Sequence, residues 1–352
     1  MNDADYEAYR RKVFDFLWRE VEPLAAEIER SGVFPNEELF PKFCNHGLWG
    51  LLIPKRYGGL ALTTKQYLPF LAEFSKVAGV VRVLLHVHNT SARAVASYGT
   101  MAQKEKLLPA LAQGDSSLTF AITEPNSGSG MDVACRAVRD GDEWVVDGQK
   151  VWNSCAQFAD WGFLLARTDP DVPKHRGITF LLVDMTSPGI EVRPLIQANG
   201  SAHFSEVFLS GVRIPADQVV GEVHGGWGAA RTVLANEAAF IGRGGGAPTS
   251  DRLRDLAALH GGLEDPRVRQ RLATVISREK LQALMGQRIQ SAVRNGHKPP
   301  LDPALTKVMA AGTRVLTGNL AAELAGPAAL VGNDPIGNWV RAEVVNRFSI
   351  SI

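Results

Sequence analysis

Three stretches of this 352-residue chain carry residue types and spacings that suit chemistry on a bound ligand. The first is FAITEPNSGSGMDV, residues 120–133, where a β-prone run breaks at Glu124-Pro125 into small or polar residues. Gly and Ser gathered like this make a flexible linker, a tight turn, or a backbone lying close against a ligand. The residues alone leave all three open. The second stretch is GQKVWNS, residues 148–154, with Trp152 among polar neighbours at a strand end. Such a Trp is ordinary core, or it lies against a planar heteroaromatic ring where stacking and area burial both stabilise the contact. The third is Glu237, the one acidic side chain between Val223 and Ser250. On a helix its neighbours three and four positions away are Val233, Leu234, Phe240 and Ile241, all apolar. A carboxylate on that stripe loses hydration, its pKa rises, and it becomes a stronger general base. A helix rotated the other way sends it to solvent.

The elements that must position these residues follow from periodicity. Over residues 6–30, Val13, Leu17, Val21, Leu24 and Ile28 recur at steps of three and four, predicting a helix. Asn36 is the expected cap of a second helix, with Glu37 and Glu38 in its first turn. Helices are predicted over residues 64–77 and 80–98, and Thr100 opens another that ends near Gly114. The period then changes. Residues 143–147, 162–166, 178–183 and 207–209 are short β-branched and aromatic runs separated by turn pairs such as Asp140-Gly141 and Pro188-Gly189. Strands this close, with no helices between, predict an antiparallel barrel or sandwich. Helical patterns return over residues 227–241, 250–259, 265–294 and 302–325. The fold class is α+β in three parts: a helical N-terminal domain (1–116), a middle β domain (117–224) and a helical C-terminal bundle (225–352).

Composition excludes several functions. With 38 basic and 37 acidic side chains, net charge +1, no bulk charge recommends a nucleic acid or other polyanion. Cys44, Cys135 and Cys155 are widely spaced and odd in number, which suggests neither a disulfide framework nor a zinc motif. No apolar run is long enough to span a bilayer and charges begin at Asp3, so a cytoplasmic protein without a signal peptide is expected. Gly128-Ser129-Gly130 begins a dinucleotide fingerprint, but its third glycine position holds Val133 and no helical pattern follows. No P-loop and no G-x-S-x-G elbow occur. His86 and His88, two apart on a helix, face different directions; they are read as core or surface residues, and no metal site is expected.

Taken together, T-E-P-x-x-G-S (residues 123–129), D-G-Q-K-x-W-x-S (147–154) and A-D-W with a following A-R-T-D (159–169) resemble the acyl-CoA dehydrogenase family. The likeness continues through RGITFLLVDM (176–185) and EVFLSGVRIP (206–215) and covers nearly the whole chain. It implies FAD, α,β-dehydrogenation of an acyl-CoA thioester, electrons passed to an electron-transferring flavoprotein, and a homo- or hetero-oligomer, dimer or tetramer. By resemblance, Phe120, Ile122 and Thr123 meet the pyrimidine edge of the flavin. Gly128 and Ser129 meet its diphosphate and the substrate thioester. Trp152 packs beside the isoalloxazine ring, and Ser154 replaces the usual Thr. Glu237 falls on the base that one group of the family carries. There are departures as well. Asn153 stands where Thr or Ile is usual, Ala238 where Arg follows the base, and the R-x-x-F-G motif is absent after Gly246. The chain stops at Ile352 where relatives continue, so a truncated C-terminus in a divergent, bacterial-type branch is expected. The rival readings are a non-catalytic subunit of a hetero-oligomeric dehydrogenase and a flavin oxygenase of the same fold.

Overall fold

Helix α1 (Asp3–Phe16) runs through one wide π turn (Leu17–Val21) into α2 (Glu22–Ser31). The turn widens just ahead of Pro23, which donates no hydrogen bond and crowds the carbonyl four residues back. The single helix expected over residues 6–30 is thus two α segments joined by that turn. Helix α3 (Asn36–Asn45) begins at Asn36 itself, with Pro35 in the capping position, so Asn36 is not the cap. The computed structural model describes residues 2–31, 34–128, 132–197, 202–231, 234, 249–259, 262–295, 297 and 303–329. The chain divides into two compact units, Met1–Ile196 with Ser201–Glu237, and Gln197–Gly200 with Ala238–Ile352.

In the first unit, α4 (Thr64–Val77) and α6 (Met101–Gln113) start with capping boxes, Thr63 with Gln66 and Thr100 with Gln103. The 20-residue α5 (Gly79–Tyr98) lies between them in sequence. Aromatic rings fill this bundle: buried Phe16, Phe43, Trp49 and Phe74 pack edge-on or tilted at centroid distances of 5.3–6.0 Å. His86 and His88 are buried here, as core residues. Burial pulls the His88 pKa down to about 4 and the His86 pKa to about 3, while His88 Nε2 lies 2.8 Å from Leu111 O. Among the described residues no group of three His, Cys, Asp or Glu side chains is placed to hold a metal.

Eight strands form one sheet: β1 (Leu118–Ala121), β2 (Arg136–Asp140), β3 (Glu143–Ser154), β4 (Trp161–Arg167), β5 (Ile178–Asp184), β6 (Ile190–Leu195), β7 (Phe204–Pro215) and β8 (Val219–Val220). The order is β6-β7-β3-β2-β4-β5-β8, with β1 paired to β4. Most pairs are antiparallel, but β1 and β2 both run parallel to β4, β1 along its start and β2 at its end. The two therefore lie in line in one slot between β3 and β4, and residues 122–135 leave that line and return to it. Strands β4 and β5 are almost wholly buried, as their unbroken apolar runs require. Gln103 Nε2 donates to Asp217 O (2.8 Å) and Val219 O (2.9 Å), fastening α6 to the segment between β7 and β8.

The second unit contains α7 (Thr249–Leu259), α8 (Pro266–Arg294) and α9 (Pro303–Ala325). Leu253, Leu256, Leu272, Val275, Leu320 and Ala321 form its core. Glu279 of α8 accepts from the Thr249 and Ser250 amides, a carboxylate at the N-terminus of α7. No helix among the described residues is long and apolar enough to cross a membrane.

Candidate functional site

The excursion over residues 122–135 is closed at its neck by a buried carboxylate. Glu124 Oε2 accepts from Ala134 N (2.6 Å), and Oε1 accepts from Cys135 N (2.9 Å) and from Lys150 Nζ (2.7 Å). Lys150 is 0% and Glu124 6% exposed, and Lys150 Nζ also donates to Ile122 O (3.1 Å). A tight turn follows, with Glu124 and Ser127 exchanging backbone bonds of 3.3 and 3.0 Å. The described ends of the loop are thus fixed, by the 124–127 turn and by the Glu124 contacts to residues 134 and 135. Gly148 (φ +152°) lets β3 pass close by, since a Cβ there would stand 2.7 Å from Cys135 Cα.

The amide of Trp161 donates to Ser117 O at 3.0 Å, so with strand alternation the backbones of residues 117, 119 and 121 turn toward β4. Those of Phe120 and Ile122 turn toward β3. Three contacts close this β1–β3 seam besides the lysine: Val151 N to Thr123 O (2.9 Å), Asn153 Nδ2 to Phe120 O (2.7 Å) and Thr119 Oγ1 to Ser154 O (2.8 Å). Phe120, Ile122, Thr123, Trp152 and Ser154 are thereby brought together. Ser129 and Glu237 lie outside the described residues, as do Arg243, the glycines at 244–246 and the chain end.

Trp152 is the outlier of the seam. Between Lys150 and Asn153 the β3–β7 register slips, three residue steps on β3 against two on β7, a bulge that re-aims the intervening side chains. Trp152 sits in it at φ +63°, left-handed backbone that a bulky L residue rarely adopts. Its indole is 54% exposed, touching Phe204 edge-on at 5.7 Å. The hydroxyls of Thr123 and Ser154 have no protein partner among the described residues. Gly128 is equally telling: its φ is not left-handed and a Cβ there would meet nothing within 4 Å. No contact among the described residues requires glycine at 128. A half-exposed indole and two open hydroxyls fit a planar, polar cofactor.

An apolar cleft adjoins the seam between α5 and the end of β3, lined by Leu84, Val87, Leu118, Cys155 and Phe158, with Ser154 at its edge. Burial pushes the Cys155 thiol up to about 11, so at neutral pH it is an apolar wall rather than a nucleophile.

Residue type and spacing alone do not mark Lys150, Glu124 and Asn153 as structural residues. Strand alternation adds a signal for Lys150: from buried Trp144 and Val146 it carries inward-facing parity to that position, where a lysine needs a buried partner.

Comparison with known proteins names the group to which this geometry belongs. Residues 3–115 match the N-terminal domain of acyl-CoA dehydrogenases and residues 119–212 the middle domain. The acyl-CoA dehydrogenase FadE34 of Mycobacterium tuberculosis is 35% identical over 319 residues; the match takes in 90% of this chain but only 44% of that protein's length. IpdE1 of the same organism is 30% identical over 86% of this chain and 79% of its own. A solved steroid ACAD, the Tcur3481-Tcur3483 G363A variant, superposes with a TM-score of 0.80 at 29% identity, over 99% of this chain and 94% of that one. The chain belongs to the acyl-CoA dehydrogenase family, whose members are flavoproteins that oxidise CH–CH bonds.

Proposed function

We propose that this protein is an FAD-dependent acyl-CoA dehydrogenase that introduces an α,β double bond into a CoA thioester and passes the electrons to an electron-transferring flavoprotein. The observation that carries the reading is Trp152, held with its ring bare in a left-handed bulge beside Thr123 and Ser154. Bound FAD supplies the acceptor for the hydride leaving the β-carbon. The backbone of Phe120 and Ile122 and the hydroxyls of Thr123 and Ser154 orient the ring. Trp152 covers one face and excludes water there, and Gly128 with Ser129 admits the diphosphate and the thioester.

Glu237 takes the α-proton. In the sequence its neighbours at helical spacing, Val233, Leu234, Phe240 and Ile241, are all apolar. A carboxylate on that face has the lost hydration a general base needs. The likeness to a steroid ACAD supports a bulky, ring-bearing acyl group as one substrate class to try first. A cytoplasmic setting, an oligomeric assembly and the three-part division near residues 116 and 224 belong to the same proposal.

The test is anaerobic titration of the protein with a panel of acyl-CoAs, straight-chain, branched and steroid side-chain, following the flavin absorbance. Bleaching by one class is expected, slowed about 10²–10⁴-fold in Glu237→Gln. Bleaching of the variant at the wild-type rate removes Glu237 from the mechanism. A second reading, a non-catalytic subunit of a hetero-oligomer, is favoured by Ala238 in place of the usual charged neighbour. Bound FAD that no acyl-CoA bleaches supports it, and oxygen consumption with a non-CoA substrate marks a flavin oxygenase instead.

A further inference from the structure

We propose that Asn153 is a positioning residue for the cofactor, acting through the carbonyl of Phe120; the inference rests on the flavin reading above. At the β3 bulge, between Val151 and Ser154, the β1–β3 seam is bridged by side chains rather than by a backbone ladder. The Asn153 carboxamide supplies the bridge in the middle. It is 1% exposed, and its Nδ2 donates to Phe120 O at 2.7 Å. Its own backbone pairs with Ser205 of β7, on the opposite edge of β3. One residue therefore ties three strands at the point where Trp152 is turned outward on one side and Ser154 follows on the other.

The other half of the carboxamide shows that this bond is worth keeping. Asn153 Oδ1 is buried with no hydrogen-bond partner among the described residues. A buried acceptor left unsatisfied costs about 1–3 kcal/mol, a penalty that an aliphatic side chain of the same size avoids. Retaining the amide makes sense where its N–H end holds something that matters. That partner, the Phe120 carbonyl, lies on the backbone edge where the flavin pyrimidine is expected. By taking the donor, Phe120 O is held in the plane of the seam, and the separation between β1 and the Trp152–Ser154 corner is set.

The experiment compares wild-type protein, Asn153→Leu (similar shape, no donor) and Asn153→Thr (a hydroxyl donor). Each is stripped of flavin and titrated with FAD by quenching of tryptophan fluorescence, and the visible spectrum of the bound flavin is recorded. Asn153→Leu is expected to raise the FAD dissociation constant about tenfold or more and to shift the flavin spectrum, with Asn153→Thr recovering part of both. Thermal unfolding of the flavin-free forms separates loss of fold from loss of position. If Asn153→Leu does not fold, Asn153→Thr carries the comparison, and a spectrum displaced from wild type is the expected result. Wild-type FAD affinity and spectrum in the folded variants overturn this inference alone. Wild-type protein that binds no FAD overturns the reading beneath it.

Discussion

Gly148 and Gly128 answer to different demands: the packed strands require the first, and among the described residues the proposed cofactor contact is the only demand put on the second. At Gly148 the φ and the nearness of Cys135 both call for glycine. Gly128 has no such demand, so Gly128→Ala is expected to leave the flavin-free thermal midpoint within about 1 °C of wild type. The same change should weaken FAD or acyl-CoA binding about tenfold, or about 1.4 kcal/mol. Differential scanning calorimetry and flavin titration on one preparation check both halves. At this scale the sequence was legible where residue types were unusual for their surroundings: an exposed-looking Trp at a strand end, small residues in a cluster. It was not legible at Asn153 or Glu124, whose roles come from partners 33, 10 and 11 positions away. The Asn153 departure from the family pattern was visible, but only the packed strands give its amide an addressee.

Among the elements, the neck of the excursion makes the sharpest demand. Removing one partner of a buried ion pair strands the other charge, which typically costs about 3–5 kcal/mol. Lys150→Met should fall toward the lower end, because Glu124 keeps two backbone donors. Urea denaturation gives the number. In a double-mutant cycle, Lys150→Met combined with Glu124→Gln is expected to cost less than the sum of the two single changes. A simple sum would mean the two charges are not coupled. The capped helices α4 and α6 were readable to the residue at Thr64 and close to it at Thr100, since both carry their start signal locally. Strand β2 carries no alternating signal: Arg136, Val138 and Arg139 face solvent, leaving only Ala137 buried to mark it. The parallel course of β1 was equally hidden, because strand direction depends on a slot created by β3 and β4, which come later in the chain.

For the molecule as a whole, His86 and His88 are expected to contribute to acid sensitivity. Both have folded pKa values, about 3 and about 4, below the ordinary 6.5. Between those values the unfolded chain binds protons that the folded bundle refuses, so stability rises with pH across that window. It is fully present above about pH 6.5. On acidification it falls by up to about 1.4 kcal/mol per pH unit for each histidine, until the folded state itself protonates. Chemical denaturation at pH 7.5, 6.0 and 5.0 should show the decline, and His88→Gln should roughly halve it, leaving the His86 share. An equally steep decline in that variant assigns the acid sensitivity elsewhere. The α, then β, then α order was readable from period alone. The two compact units cut across that order, because Gln103 and the α5 cleft join the first helices to the sheet in one unit.

Strands β1 and β2 occupy one slot as if they were a single strand, and the small-residue segment between them is an inserted detour whose two ends are welded to each other and to β3. Such a detour can be respelled, shortened or exchanged while the surrounding sheet keeps its register. A lineage could therefore retune the proposed ligand contacts without rebuilding the strands on either side.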